Sequence, residues 1–372
     1  MSFSDFNLLP SLLESLTEQH LTNPTEIQTR TVPSLVAGDS VVGVAETGSG
    51  KTLAYALPML HRLKELENEG DPVTKSAHPR GLVLVPSREL GEQVSKVFKS
   101  LTHKTRLRVR VALGGAPKRV ARKAVSGNFE VLVATPGRLT QLLDTEDVNL
   151  TDVRSITFDE ADQMVDPGFL PVALRIVRAC EHGVQVAMFS ATLPKGLEAV
   201  VAELFDSPPL RVQTRGSQKL VATLTTQNLE VIDGRRWDLL EPLLAERPQV
   251  GTLLFVNTRD QCDRVASWLD EASITHATFR GEMDRIERRN NLRAFRKGEV
   301  AVLLATDLGG RGLDIDRVQR VVNVHLPNDI DNYLHRAGRT ARAGRKGLVV
   351  NLVTARDKDL MDRIRRRERK KG

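Results

Sequence analysis

Residues 45–52 read Ala-Glu-Thr-Gly-Ser-Gly-Lys-Thr, between a short β-branched run, Val41–Val44, and an apolar stretch with helical spacing, Leu53–Leu60. A strand, a glycine loop and a helix in that order form a phosphate cradle. The glycines let backbone N–H groups approach the phosphates, and the helix N-terminus faces them. Lys51 is placed to reach the β/γ oxygens and the Thr52 hydroxyl to ligate Mg²⁺. A second stretch, Phe158-Asp-Glu-Ala-Asp162, sets carboxylates at the end of an apolar run. There Asp159 can hold Mg²⁺ through water and Glu160 can orient or deprotonate an attacking water. Together the two stretches make a nucleoside-triphosphate site.

Outward from the loop, strand-length apolar runs alternate with longer helical segments. They are Val41–Val44, Gly81–Val85, Arg108–Leu113, Glu130–Ala134, Ser155–Phe158 and Val184–Phe189. Such alternation predicts a mostly parallel sheet covered on both faces. Each run leads into a polar or glycine-bearing segment: Glu46–Thr52, Pro86–Leu90, Gly114-Gly115, Thr135–Arg138, Asp159–Asp162 and Ser190–Thr192. The motifs therefore collect at the carboxyl edge of one sheet, where open α/β sheets bind ligands. Residues 67–80 read as a polar, mobile surface insertion. The pattern breaks near Asp206–Leu220 and restarts with Thr252–Val256, Thr275–Phe279, Val300–Ala305, Arg320–Val324 and Gly347–Val353. Only the first half carries a phosphate loop.

Composition sets the class. At 372 residues, with 40% hydrophobic and 27% charged residues, the chain is long enough for two globular domains. No apolar run approaches the roughly 18 residues of a membrane span. The N-terminal residues lack the basic and apolar regions of a signal peptide. Cys180 and Cys262 lie in separate helical patterns without metal-ligand spacing, so they read as buried, reduced thiols of a cytoplasmic protein. The net charge is +7, and residues 356–372 alone contribute a surplus of +5. That basic tail suits nucleic-acid backbone contact or merely a solvated helix end.

Arg336, Arg339 and Arg342 recur at three-residue intervals in Tyr333-Leu-His-Arg-Ala-Gly-Arg-Thr-Ala-Arg. On a helix they would share a face and repel one another unless anions lay opposite. Asp329 and Asp331 are the nearby acids. The series therefore reads as a γ-phosphate clamp of the arginine-finger kind, in preference to a salt-bridged helix.

These motifs, in order and spacing, resemble those of the DEAD-box ATP-dependent RNA helicases of superfamily 2, over roughly Phe3 to Val353. The acidic box Asp159-Glu160-Ala161-Asp162 spells the family name. Asn23-Pro24-Thr25-Glu26-Ile27-Gln28 resembles the family's adenine-reading segment, with Phe3 as its upstream aromatic. The resemblance implies two RecA-like α/β domains joined by a flexible linker, and suggests a compact bacterial member. The expected divisions are an adenine-reading segment over 1–30, an ATP-binding domain over 31–207, a linker over 208–222, a second domain over 223–355 and a basic tail over 356–372.

The resemblance also distributes roles. ATP would be held by Phe3, Leu21, Asn23, Thr25, Gln28, Ala45, Glu46, Thr47, Gly48, Ser49, Gly50, Lys51 and Thr52, with Asp314 on the ribose. Arg339 and Arg342 would be the fingers, and His335 and Arg336 would join bonds that couple the two domains. Ser190 and Thr192 would bond the acidic box through their hydroxyls. RNA backbone would be gripped by Arg88, Gly115, Thr135, Pro136 and Arg138 in the first half, and by Arg280, Gly281, Arg288 and Thr306 in the second. Aromatic residues make up only 4% of the chain, so base-stacking platforms are few and gripping is expected to be sequence-independent. The implied function is local RNA unwinding coupled to ATP hydrolysis by a monomer, with a slow ATP-gated RNA clamp as the alternative. Ala45 departs from the strict glycine loop but matches the family's Ala-x-Thr-Gly-Ser-Gly-Lys-Thr. The departures from the family pattern are His20 and Leu21 (usually Gly and an aromatic), Arg285 (often Gln), Gly309-Gly310 (in place of the commoner small pair) and Ala341 (usually Gly).

Overall fold

The computed structural model describes residues 1–46, 48–165, 169–180, 183–192, 196–205, 207–214, 224–246, 249–281, 283–307, 315, 317–341 and 346–369. The chain divides into two compact units, Met1–Ser217 and Gln218–Gly372. No helix among the described residues is long and apolar enough to cross a membrane.

The first unit is built on seven strands: β1 (Val41–Val44), β2 (Gly81–Leu84), β3 (Val109–Ala112), β4 (Val131–Ala134), β5 (Ser155–Asp159), β6 (Gln185–Ser190) and β7 (Leu210–Gln213). Their order across the sheet is β3-β4-β2-β5-β6-β1-β7, and every pairing is parallel. The helices are α1 (Pro10–Glu18), α2 (Glu26–Val36), α3 (Lys51–Asn68), α4 (Arg88–Thr105), α5 (Lys118–Ala124), α6 (Pro136–Asp144), α7 (Leu170–Arg178) and α8 (Leu197–Leu204). Central strands β1, β2 and β4 are buried along their whole length, as parallel strands covered on both faces must be. One core lies between the sheet and α1–α4, and the other beneath α5–α8.

The second unit has a six-stranded sheet, ordered β10-β11-β9-β12-β13-β8 and again all parallel. Its strands are β8 (Leu224–Glu230), β9 (Thr252–Val256), β10 (His276–Phe279), β11 (Val302–Thr306), β12 (Arg320–Asn323) and β13 (Gly347–Val353). Around them pack α9 (Trp237–Glu246), α10 (Arg259–Glu271), α11 (Arg285–Lys297), the helix Ile330–Ala337 and the C-terminal helix Lys358–Arg369. Side chains set several helix starts: the Ser87 hydroxyl accepts from the Leu90 N–H, Thr258 and Gln261 form a capping box, and Asp329 accepts from the Asn332 N–H.

Four expectations change. The stretch taken as linker begins with β7, a seventh strand in parallel register with β1. The polar β8 was not anticipated; it pairs with β13 over seven residues. The insertion before β2 is anchored: Arg80 bonds Asp71 and Asp152, and Asn128 Nδ2 donates to the Val73 and Thr74 carbonyls. The basic stretch after residue 356 is likewise no loose tail. Its helix buries Leu360, Met361 and Ile364 in the second core and turns Arg363, Arg365 and Arg366 outward.

Candidate active site and nucleic-acid interface

Strand order sorts the motifs of the first unit. The phosphate loop, the acidic box and Ser190–Thr192 follow β1, β5 and β6, which are consecutive neighbours in the sheet. Pro86–Leu90, Gly114-Gly115 and Thr135–Arg138 follow β2, β3 and β4, which fill the other half. One carboxyl edge thus carries the motifs expected to hold triphosphate in one half and those expected to grip nucleic-acid backbone in the other.

In the phosphate loop, Lys51 Nζ donates to the carbonyls of Ala45 (2.6 Å) and Glu46 (2.9 Å), and the Ser49 hydroxyl donates to Glu46 (2.7 Å). Gly50, at φ +89°, caps α3. The conformation requires glycine, and a Cβ there, 2.3 Å from Gln28 Nε2, would also push the Gln28 amide off the Gly50 carbonyl. Gln28 donates from Nε2 to the Gly50 carbonyl (3.0 Å) and accepts the Thr25 N–H (2.9 Å), clamping the adenine-reading segment onto the loop. Asn23 is exposed, Leu21 packs half-buried against the core, and Phe3 is buried edge-on to Phe6. Burial raises the Glu46 carboxyl above its ordinary value, with Lys51 opposing.

Beside the loop, Asp159 is buried and held at both oxygens. Oδ1 accepts the Glu160 N–H (2.9 Å), and Oδ2 accepts the hydroxyl of Tyr55 on α3 (2.8 Å). Burial pushes its carboxyl up to about 6, while Lys51 pulls the other way. A buried carboxylate with that disposition, near the Thr52 hydroxyl, fits a divalent cation, which would restore the charge that burial disfavours. Tyr55 was not singled out in the sequence; its signal is an aromatic hydroxyl four residues after Lys51, inside the apolar run Leu53–Leu60. Glu160 sits at φ +53°, in the left-handed region unusual for a glutamate, and accepts from Gln163 Nε2 (2.6 Å). The Thr192 hydroxyl donates to Asp162 Oδ2 (3.1 Å), whereas the Ser190 hydroxyl donates to the Thr192 carbonyl (2.7 Å). Of the two hydroxyls expected on the acidic box, Thr192 makes that bond. Ser190, buried beneath it, shapes the turn.

On the other half, Arg88 Nη1 donates to the Gly114 carbonyl (3.1 Å), and the Gly114 N–H donates to Thr135 Oγ1 (3.0 Å). Arg138 donates to the Ala116 carbonyl and to Gln141 Oε1 (2.9 Å). Pro136 opens α6 and Gly115 is exposed. The three segments are therefore one bonded surface.

In the second unit, Arg280 pairs with Asp263, Gly281 is exposed, and the Arg288 guanidinium lies 4.4 Å from the Phe279 ring centroid. Thr306 ends β11, next to Asp307. The arginine series does not share one helical face: the helix Ile330–Ala337 stops at the Gly338 cap, and Arg339 lies beyond it. Arg336 is buried in a network within its own unit. It forms a bidentate pair with Asp307 and donates to Asn257 Oδ1 (2.7 Å), the His325 carbonyl (2.7 Å) and Asn323 Oδ1 (3.1 Å). Its anion is Asp307, 29 residues upstream, so the local acid count could not reveal it. Arg339 is buried and donates from Nε to the His335 carbonyl (3.1 Å). Ala341 sits at φ +56°. Thr47, Asp314 and Arg342 lie outside the described residues.

Comparison with known proteins agrees with this layout. The DEAD/DEAH box helicase model matches residues 25–200, and the helicase conserved C-terminal domain model matches residues 235–344. The ATP-dependent RNA helicase SrmB of Escherichia coli is 36% identical over 366 residues, covering 98% of this chain and 81% of that protein. RhpA of Helicobacter pylori, a DEAD-box ATP-dependent RNA helicase, is 32% identical over 353 residues, covering 95% of this chain and 70% of its own. Among solved structures, S. cerevisiae Dbp5 bound to RNA and ADP BeF3 superposes with a TM-score of 0.86 at 25% identity, covering 98% of this chain and 93% of that one. The two RecA-like units expected from the sequence are thus those of a known fold, and the chain belongs to the DEAD/DEAH box helicase family.

Proposed function

We propose that this protein is an ATP-dependent RNA helicase that grips RNA by its backbone and opens short duplexes or remodels RNA–protein complexes as it hydrolyses ATP. The observation that carries this reading is that the phosphate-loop and acidic-box motifs and the motifs assigned here to RNA backbone share one sheet edge and meet at the neighbouring strands β2 and β5. RNA-helicase relatives over nearly the whole chain support it.

In this reading, Lys51 exchanges its two loop carbonyls for phosphate oxygens, and Gln28 and Thr25 hold the adenine side. Thr52, and Asp159 through water, would hold Mg²⁺, which would supply charge neutralisation at the phosphates. Tyr55 and the Glu160 N–H fix Asp159, so that its oxygens point one way. Glu160, already turned by its left-handed backbone, orients the attacking water and takes its proton. Arg339 and Arg342 stabilise charge on the γ-phosphate. Arg88, Gly115, Thr135, Pro136, Arg138, Arg280, Gly281, Arg288 and Thr306 take sugar–phosphate contacts without reading bases, which makes binding sequence-independent. His335 couples the finger segment to its own unit through the Arg339 bond. The protein acts as a monomer.

The test is ATP turnover with and without RNA, alongside unwinding of a short RNA duplex. RNA-stimulated turnover with ATP-dependent strand release is expected. ATP binding and RNA binding without strand release in a single turnover would favour the ATP-gated clamp instead.

A further inference from the structure

Beside the backbone-gripping half, α5 and α6 enclose a pocket of about 300 Å³ lined by Lys118, Arg119, Arg122, Arg138, Gln141 and Asp147 among others. Four cations face one carboxylate. Arg122 is the partner of that carboxylate, through Nε and Asp147 Oδ1 at 2.7 Å, which leaves Lys118, Arg119 and Arg138 as the positive balance. Lys118 and Arg119 are exposed on α5. Arg138 is 9% exposed, and its Nε has no hydrogen-bond partner, which is costly for a buried guanidinium unless an anion approaches. The pocket lies at the sheet's outer end, because α5 follows β3, the edge strand, and α6 follows β4. Arg138 links it to the motif surface through the Ala116 carbonyl, and Thr135 and Arg88 bond the adjoining Gly114.

We propose that this pocket is an additional phosphate site, through which Lys118, Arg119 and Arg138 take the sugar–phosphate backbone of an RNA strand running past the motif surface toward the sheet edge. The inference rests on the RNA-helicase reading above and adds α5 to the track. The ligand is a phosphodiester because the donors are ammonium and guanidinium groups with one acid among them and no aromatic side chain in the lining. Length selectivity follows, since only strands long enough to leave the motif surface reach α5.

The experiment measures RNA affinity over a salt series for homopolymer RNAs of increasing length, with the full chain, a Lys118→Ala/Arg119→Ala variant and an Asp147→Asn variant. The double variant should bind short RNAs as the parent does and long RNAs roughly tenfold more weakly at low salt. Its log K against log salt slope should flatten by about 0.7 for each lost single-strand contact. Asp147→Asn removes the one opposing charge and should tighten long-RNA binding. Equal affinities and slopes at every length would overturn the proposal. So would equal losses at every length, or selective capture of an acidic peptide in place of long RNA. Absence of any RNA stimulation of ATP turnover in the parent chain would instead fail the helicase reading itself.

Discussion

Arg336→Ala separates a structural arginine from a catalytic one. The side chain is 1% exposed and serves four acceptor residues, with its guanidinium 5.1 Å from the Phe255 ring centroid. Truncation strands the Asp307 carboxylate and the Asn257, Asn323 and His325 oxygens at once. Breaking a buried ion pair from one side costs about 3–5 kcal/mol. The Asp307 side chain is 22% exposed, so water can reach it and the lower end, about 3 kcal/mol, applies. The chain supplies its own probe: its only two tryptophans, Trp237 and Trp268, stack at 5.1 Å within the second unit. Tryptophan fluorescence in urea therefore follows that unit. With m near 1–3 kcal/mol per molar, the midpoint should fall by about 1–3 M. Arg336→Lys should recover little, since an ammonium cannot reproduce the bidentate fork. A midpoint loss equivalent to under about 1 kcal/mol would refute the claim that this network holds the unit together.

Lys51→Ala should abolish both ATP binding and turnover, whereas Glu160→Gln should keep nucleotide binding and trap an ATP–RNA complex; equilibrium binding and turnover assays compare them. Arg339→Ala should lower kcat roughly 10³-fold, and a rate within a few-fold of the parent would make that arginine structural as well. Asp159 has its carboxyl raised by burial from about 3.9 to about 6, so its contribution to stability is full below pH 4 and is lost as pH rises through 6. Without Mg²⁺ the parent should therefore lose up to about 3 kcal/mol relative to Asp159→Asn across that window, read by thermal melts from pH 4 to 7. Ala341→Gly relieves a left-handed alanine and should raise the tryptophan-monitored midpoint by about 0.5–1 kcal/mol, unless the freedom glycine gains in the unfolded chain cancels it.

The sequence carried the parallel architecture because its central strands are continuous apolar runs; β9 and β13 coincide with runs read directly from it. β8 escaped because Leu-Thr-Thr-Gln-Asn-Leu-Glu is mostly polar, with few buried positions to mark it. β7 escaped because the Pro-Pro before it reads as punctuation, although β1 needed a partner on its open side. The ATP-site chemistry was legible wherever it lies in one contiguous motif. What stayed hidden lies between distant segments: Tyr55 to Asp159 across 104 residues, Arg336 to Asp307 across 29, and Gln28 to Gly50 across 22. A guanidinium series looks free of acids when its acid is supplied by another strand.

The same long-range bonds explain why a modest sheet edge can link two ligands. Thr192 lies in the segment after β6 and donates to Asp162 of the segment after β5, so the acidic box and the β6 turn are bonded directly to each other. On the far side, β5 is also the neighbour of β2, whose following Arg88 holds the Gly114 carbonyl after β3. Gly114 in turn donates to Thr135 after β4. From β6 to β3, each motif is thus connected to a neighbour by a backbone ladder or by a side-chain bond. Parallel strand order makes this necessary: with the carboxyl ends all on one edge, the β5–β2 junction is where the proposed hydrolysis motifs meet the proposed backbone-gripping motifs. Asp159 ends β5 at that junction, and Glu160 follows it.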